Sequence, residues 1–166
     1  MAEIKAIETF YNGFRFRSRL EARWAVFFDA IGFEYEYEPQ GFDLGEGYYY
    51  LPDFYLPENN SWVEIKGRFM DNASNEKMLR FCEAKCDVAK GGSKFRILVD
   101  QIPYELDEGI PCLNYISPTE YKFMNSKRIR RGFFSNGVWK PLRDEQTVRN
   151  GLIKARQARF EHGERG

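Results

Sequence analysis

A proline-aspartate pair followed by a glutamate-x-lysine triplet constrains the fold of this chain most. Pro52-Asp53 lies at the end of an apolar, strand-like stretch, and Glu64-Ile65-Lys66 follows after ten intervening residues. Because side chains alternate along a strand, Glu64 and Lys66 share one face, about 7 Å apart, and the isoleucine between them faces the other side. The spacing therefore predicts two neighbouring strands that bring Asp53 beside Glu64 and Lys66.

An acid and a base on one strand face have two interpretations. Two neighbouring carboxylates can hold a divalent cation beside a lysine, and such a centre can polarise a phosphoryl oxygen and activate a water. Alternatively, Asp53 serves the turn after its proline, and Glu64 and Lys66 form an ion pair on a solvated surface. Trp62 lies on the same face as Glu64, which indicates partial burial and favours the cation site.

Periodicity and turn signals predict a mixed sheet flanked by helices around this pair. The predicted elements, in chain order, are a hairpin over 5–16, a helix from 18 to 32, strands over 33–38, 48–56 and 62–66, a helix over 75–90, and strands over 95–100 and 112–116. The strand over 48–56 is expected to be interrupted by Pro52. A loop over 39–47 and a turn over 58–61 connect the first three of these strands. The fold class is therefore α/β (α+β).

The chain changes character beyond Pro118. A hairpin is predicted over 131–139, around Asn136-Gly137, and a basic helix over 144–161. Residues 1–121 carry 13 Lys/Arg and 21 Asp/Glu, whereas residues 122–159 carry 11 Lys/Arg and only two acidic residues. A chain with zero net charge can thus present a basic face to phosphates, although a solvated basic face without a partner explains the same pattern.

Several classes of protein are disfavoured by what the sequence lacks. No apolar run approaches the roughly 18 to 20 residues of a membrane span, and the N-terminus does not look like a secretory signal, so we expect no membrane partner and a cytoplasmic location. The sparse cysteines, Cys82, Cys86 and Cys112, suit reduced thiols. The single histidine, His162, argues against histidine-based catalysis. There is no phosphate-binding GK[ST] loop, so no nucleotide cofactor is expected.

Three stretches of the chain carry a family resemblance. They are RSRLEARWA over 17–25, LPDF over 51–54 and VEIKG over 63–67. Together with the predicted elements, they resemble the PD-(D/E)xK nuclease superfamily of restriction-endonuclease-like enzymes, and in particular its small phage- and prophage-type members. The resemblance implies an αβββαβ nuclease core over 1–117 and a basic C-terminal extension, hairpin and helix, over 118–166 that is packed on or appended to the core.

The resemblance also implies a chemistry. Asp53, Glu64 and the backbone carbonyl of Ile65 would bind Mg²⁺, which Mn²⁺ could replace, since hard oxygen ligands suit both ions. Lys66 would orient or deprotonate the attacking water. Glu21 would be a further catalytic residue that reaches the metal directly or through water. Ser18-x-x-Glu21 is also a capping box, in which the glutamate only bonds back to the helix start, and both interpretations stay open.

The expected activity is hydrolysis of phosphodiester bonds by a metal-dependent DNA endonuclease, in phage or mobile-element DNA processing. A Holliday-junction or other structure-specific resolvase is an alternative, and a homodimer is compatible with either. A protein of another class, a catalytically inactive DNA-binding or assembly protein on a nuclease-like scaffold, is the third interpretation.

Basic residues around the expected site and beyond position 118 are the candidate DNA contacts. An arginine cluster surrounds the start of the first helix, where a helix N-terminus can also attract phosphate. The alternative is that these arginines are simply exposed on a strand edge and a helix surface. The candidate DNA-binding residues are Arg15, Arg17, Arg19, Arg23, Arg68, Lys77, Lys127, Arg128, Arg130 and Arg131.

Overall fold

A computed structural model describes residues 6–67, 72–86, 92–99, 102, 111–115, 129–133 and 144–160. The chain folds as a mixture of helices and strands, as predicted. In chain order these are β1 Thr9–Tyr11, β2 Phe14–Phe16, α1 Arg19–Ala30, β3 Glu36–Tyr37, β4 Phe42–Asp43, β5 Tyr49–Tyr50, β6 Phe54–Leu56, a 3-10 turn Pro57–Asn59, β7 Ser61–Lys66, α2 Asn72–Lys85, β8 Lys94–Val99, β9 Pro111–Tyr115, β10 Ile129–Phe133 and α3 Glu145–Gln157.

A six-stranded sheet in the order β10-β9-β8-β7-β6-β3 forms the centre of the described structure. Strands β7 and β8 are parallel, and the other neighbouring pairs are antiparallel. A parallel pair needs a long crossover connection, and α2 lies in the segment that joins β7 to β8. The predicted mixed sheet is confirmed.

Helices cover both faces of this sheet. Val63 and Ile65 of β7 belong to the same apolar cluster as Phe27 and Phe28 of α1. Trp62, from the opposite face of β7, packs in a second cluster with Phe81 of α2. The alternation of side chains along β7 therefore assigns Glu64 and Lys66 to the α2 side of the sheet.

Helix α1 begins and ends where the sequence predicts. Ser18 is the N-cap, and its hydroxyl oxygen accepts a hydrogen bond from the Glu21 N–H at 3.2 Å. Gly32 follows the helix with a left-handed φ of 66°, the conformation that glycine adopts most readily. Between these ends the helix buries Trp24 and Phe27 in the core.

Helix α3 packs on α1. Val148, Leu152 and Ala155 of α3 belong to the same apolar cluster as the buried side chains of α1. Gly151 lies at the contact, where an added Cβ would be only 2.7 Å from Ile31 Cγ2. The basic C-terminal helix is thus part of the core packing. None of the helices in the described part of the chain combines the length and apolar character that a membrane span requires.

Two strand predictions need correction. The predicted strand over 48–56 is two strands, β5 and β6, which belong to different sheets. The predicted loop over 39–47 contains β4, which pairs with β5 as a hairpin. The predicted interruption at Pro52 is confirmed, since Pro52 lies between β5 and β6 and has no N–H to donate to a neighbouring strand. Strand β3 covers only Glu36–Tyr37 of the six residues predicted.

Other boundaries also differ from the predictions. The first hairpin is confirmed, with Asn12 and Gly13 at φ values of 46° and 82° in its turn. Helix α2 begins at Asn72, three residues before its predicted start, and ends at Lys85. The first residues of the hairpin predicted over 131–139 lie in β10, which pairs with β9. The rest of that hairpin, with Asn136-Gly137, lies outside the described residues. Cys82 and Cys86 are buried free thiols, as expected.

Candidate functional site

Strands β6 and β7 bring Asp53 beside Glu64. Phe54 of β6 pairs with Val63 of β7, so continuing the antiparallel register by one residue places Asp53 opposite Glu64. The Ile65 N–H donates a hydrogen bond to Asp53 Oδ2 at 2.7 Å, which fixes the carboxylate against β7. Asp53 is only 3% exposed and Glu64 only 4%, so the two acids meet inside the protein rather than on its surface.

Glu64 and Lys66 form an ion pair on their shared face. Lys66 Nζ lies 2.6 Å from Glu64 Oε1, and the Tyr50 hydroxyl donates to Glu64 Oε2 at 2.8 Å. Both carboxylate oxygens of Glu64 therefore have a partner. The shared face that the E-x-K spacing predicts is confirmed. Tyr50 was not among the predicted site residues, because its contact depends on how the β4–β5 hairpin folds back towards β7.

Glu21 is buried at the start of α1 but is not bonded as a simple capping box would require. Its Oε1 accepts a hydrogen bond from the Ser18 hydroxyl at 2.6 Å. Its Oε2 accepts from the Tyr37 hydroxyl at 2.7 Å and from the Arg17 N–H at 3.2 Å. The carboxylate is thus tied to the helix start and to β3 at once. Whether it also serves a metal stays a prediction.

Arg17 connects two carboxylates across the site. Its Nη2 lies 2.6 Å from Asp53 Oδ1, and its Nε lies 2.5 Å from Glu38 Oε1. The arginine was predicted as a DNA contact, and the structure places it directly against the predicted metal ligand Asp53. Glu38 was not among the predicted site residues, because nothing in the sequence pattern over 33–38 indicates a contact with Arg17.

Four acidic side chains, Glu21, Glu38, Asp53 and Glu64, form what we call the carboxylate cluster. Burial, followed by the charges of Glu64 and Glu21, raises the pKa of Asp53 well above its usual value. The pKa of Glu38 is also raised, mainly by burial, against the opposing charge of Arg17. Such perturbed carboxyl groups are enriched at functional sites.

The pKa of Arg17 also depends on the carboxylate cluster. Burial lowers the pKa of its guanidinium, but the charges of Asp53 and Glu38 outweigh burial, so the pKa of Arg17 is raised. Burial and the charge of Glu64 likewise raise the pKa of the Tyr50 hydroxyl, which therefore stays a hydrogen-bond donor. Arg17 thus stays positively charged and Tyr50 stays protonated across the physiological pH range.

The donor set of the carboxylate cluster fits a hard divalent cation. With Arg17 and Lys66 as the neighbouring cations, four ionised carboxylates leave a formal excess of two negative charges. Oxygen ligands of this kind suit Mg²⁺ or Mn²⁺. Among the residues that the structure describes, no group of three or more His, Cys, Asp or Glu side chains is placed to hold a metal. Arg17 forms an ion pair with Asp53, and Lys66 forms one with Glu64.

The other candidate DNA contacts are not brought together by the described structure. Arg15 forms an exposed ion pair with Glu8, while Arg19 and Arg23 lie on α1 and Lys77 is exposed on α2. Arg130 and Arg131 lie on β10, of which only the backbone is described. Arg68, Lys127 and Arg128 lie outside the described residues. The DNA-binding roles of all these residues stay predictions.

Comparisons with known proteins give no match, whether to protein-family models, to curated proteins or to solved structures.

Proposed function

We propose that the protein is a Mg²⁺-dependent deoxyribonuclease with a restriction-endonuclease-like core of the PD-(D/E)xK type. The observation that carries the proposal is the burial of Asp53 beside Glu64, with Lys66 Nζ 2.6 Å from the Glu64 carboxylate. Burying carboxylates side by side is costly unless a cation compensates them. Arg17 and Lys66 compensate part of this negative charge, and a bound divalent cation would compensate the rest.

Each residue of the site has a role in phosphodiester hydrolysis. Asp53, Glu64 and the backbone carbonyl of Ile65 would hold Mg²⁺, which supplies Lewis-acid stabilisation of the charge on the phosphoryl oxygens. Lys66 orients or deprotonates the attacking water and stabilises developing negative charge. Arg17 donates hydrogen bonds to a phosphate next to the cut. Glu21 holds a water near Asp53, through the carboxylate that Tyr37 and Ser18 already orient.

A second candidate is a DNA-binding or assembly protein that does not cleave. The observation in its favour is that Arg17 and Lys66 pair with Asp53 and Glu64, so the site is compensated by the protein's own cations. A structure-specific resolvase differs from the first candidate only in its substrate. We place the nuclease first because a purely structural ion-pair network has no need for two adjacent buried carboxylates, which apolar side chains could replace without loss.

A panel of DNA substrates separates these candidates. The protein is incubated with supercoiled, linear, single-stranded and branched DNA, in Mg²⁺ and in EDTA. We expect cleavage in Mg²⁺ only, and the substrate cut fastest identifies an endonuclease or a resolvase. Asp53→Asn should be inactive. The matched variant Asp43→Asn, which changes an exposed aspartate of β4, should cleave like the wild type. DNA binding without cleavage on every substrate would support the second candidate.

A further inference from the structure

Glu38 has an unusual backbone conformation for its position in the chain. Its φ is 45°, in the left-handed region, although it is not glycine and it precedes Pro39. A residue before proline is normally extended, and a non-glycine residue in the left-handed region is strained and persists only where its surroundings enforce it. Its N–H donates to the Asp53 carbonyl at 2.9 Å, which anchors Glu38 beside the predicted metal ligand.

The side chain of Glu38 is directed at Arg17. Glu38 Oε1 lies 2.5 Å from Arg17 Nε, and the side chain of Glu38 is 23% exposed. The backbone N–H of Arg17 also donates to the Tyr37 hydroxyl at 3.0 Å. Arg17 is therefore held at its backbone by the residue before Glu38 and at its side chain by Glu38 itself.

The guanidinium of Arg17 still has donors to offer. It carries five N–H groups. One on Nη2 donates to Asp53 Oδ1, Nε forms the ion pair with Glu38, and the side chain remains 54% exposed. An arginine that is fixed in place loses less rotamer freedom when it binds a phosphate. A mobile arginine on the same helix start would not present its donors in a defined direction.

We propose that Glu38 is a positioning residue, which holds Arg17 beside Asp53 so that the guanidinium is presented to the phosphate of the DNA being cut. The inference rests on the proposed nuclease function. A plain surface ion pair is the competing explanation, and it contributes little to stability. That explanation gives no reason for a strained backbone at Glu38 or for the shared contact of Arg17 with Asp53.

Kinetics on the wild type and on Glu38→Gln, Arg17→Ala and the double variant test the proposal. Glu38→Gln should lower kcat/KM on the order of 10-fold to 100-fold, as expected for a misplaced catalytic neighbour. The double variant should be no slower than Arg17→Ala alone, because Glu38 acts through Arg17. Effects that multiply in the double variant would overturn the proposal. Glu36→Gln, which changes an exposed acid on β3, is the control and should cleave like the wild type.

A second pair of variants separates positioning from folding. Glu38→Gly accepts a positive φ without strain, so it should unfold at a higher temperature than Glu38→Ala. Both should lose cleavage to the same extent, because both lack the carboxylate that holds Arg17. If cleavage instead follows thermal stability across these two variants, Glu38 has only a structural role.

One readout does not depend on activity. In the metal-free protein, the Nε signal of Arg17 in ¹⁵N NMR should shift and broaden in Glu38→Gln, because the charge of the carboxylate that lies 2.5 Å from Nε is lost. An unchanged signal in Glu38→Gln overturns the inference whether or not the protein cuts DNA. If the wild type cleaves DNA and Glu38→Gln matches it, the inference fails and the nuclease function stands. If the wild type never cleaves, the nuclease function fails, and this signal alone decides whether Glu38 fixes Arg17.

Discussion

Asp53 is a buried carboxyl group whose ionisation is disfavoured both by burial and by neighbouring negative charges. It is almost fully enclosed, and the charges of Glu64 and Glu21 add to the cost of ionising it, while the Ile65 N–H and Arg17 compensate only in part. The raised pKa of Asp53 means that the folded protein holds its proton more tightly than the unfolded chain does. The metal-free fold is therefore destabilised by this group once the pH is high enough to ionise it.

Asp53→Asn should stabilise the metal-free protein in a pH-dependent way. In the wild type, the pKa of Asp53 in the folded state lies above the unfolded value of about 3.9. The contribution of protonated Asp53 to wild-type stability is therefore complete below a pH of about 3.9 and is lost as the pH rises through the folded pKa. We expect the melting temperature of Asp53→Asn to exceed that of the wild type by a margin that grows from pH 4 to pH 8. Thermal unfolding in EDTA measures this margin, and a constant or shrinking margin would contradict the assignment.

Lys66→Ala should lose cleavage and keep DNA binding. A positioned acid-base group contributes about 10²–10⁴-fold to rate, so we expect a loss in that range in single-turnover assays. Affinity for uncut DNA, measured in EDTA by fluorescence anisotropy, should change little. Lys85→Ala, at the exposed C-terminal end of α2, provides a matched loss of charge away from the site. Wild-type turnover in Lys66→Ala would remove this lysine from the mechanism.

At the scale of elements, a helix or strand could be predicted from the sequence where the contacts that determine it lie close together in the chain. Helix α1 was predictable because Ser18, the apolar stripe and Gly32 act within a few residues of one another. The interruption of the strand over 48–56 at Pro52 was predicted, but the pairing of β5 with β4 in a separate sheet was not, because it depends on a hairpin between them. The left-handed conformation of Glu38 contradicts the local preference before proline.

The residues of the candidate site also differ in how far the sequence could predict them. The proximity of Asp53 to Glu64 and Lys66 could be predicted. It requires only that Glu64 and Lys66 share one face of a strand and that Asp53 lies on the neighbouring strand. Tyr50 and Glu38 could not be predicted, since Tyr50 reaches Glu64 through the β4–β5 hairpin and Glu38 is separated from Arg17 by 21 positions. Contacts of this kind follow from tertiary folding, and no periodicity in the sequence signals them.

The contact between α1 and α3 gives a prediction for elements. In Gly151→Ala the new Cβ would lie 2.7 Å from Ile31 Cγ2 and 3.2 Å from Phe27 Cδ2. Overpacking costs about 1–3 kcal/mol, which we expect to exceed the gain of about 1 kcal/mol in helix propensity. The melting temperature should therefore fall. Gly41→Ala, whose Cβ would meet nothing within 4 Å, should leave it unchanged, and a more stable Gly151→Ala would show that the helices can separate at little cost.

At the scale of the whole molecule, the charge is divided along the chain although the net charge is zero. The acidic balance lies before residue 122 and includes the carboxylate cluster, whereas residues 122–159 are strongly basic. Because α3 packs on α1, part of this basic region lies on the same core as the site. A protein whose acidic and basic residues are separated in this way can bind a cation at its acidic residues and a phosphate backbone at its basic residues.

DNA binding should accordingly depend on salt. Each phosphate contact contributes about −0.9 to the slope of log K against log salt on duplex DNA. If Arg128 contacts a phosphate, Arg128→Ala should make the slope shallower by about that amount, as measured by titrations between 50 and 200 mM salt. Arg80→Ala is the control, because Arg80 already pairs with Glu46 and Glu76. An unchanged slope in Arg128→Ala would place the DNA elsewhere.

The rate of plasmid cleavage across a Mg²⁺ titration tests the central claim most directly, with the wild type compared with Glu64→Gln. The glutamine can keep the hydrogen bond from Tyr50 but lacks the charge that a cation requires. We predict that the wild-type rate rises with Mg²⁺, saturates and vanishes in EDTA, and that Glu64→Gln remains at least about 100-fold slower at every concentration. Equal rates for the two proteins, or wild-type cleavage that persists in EDTA, would contradict the account.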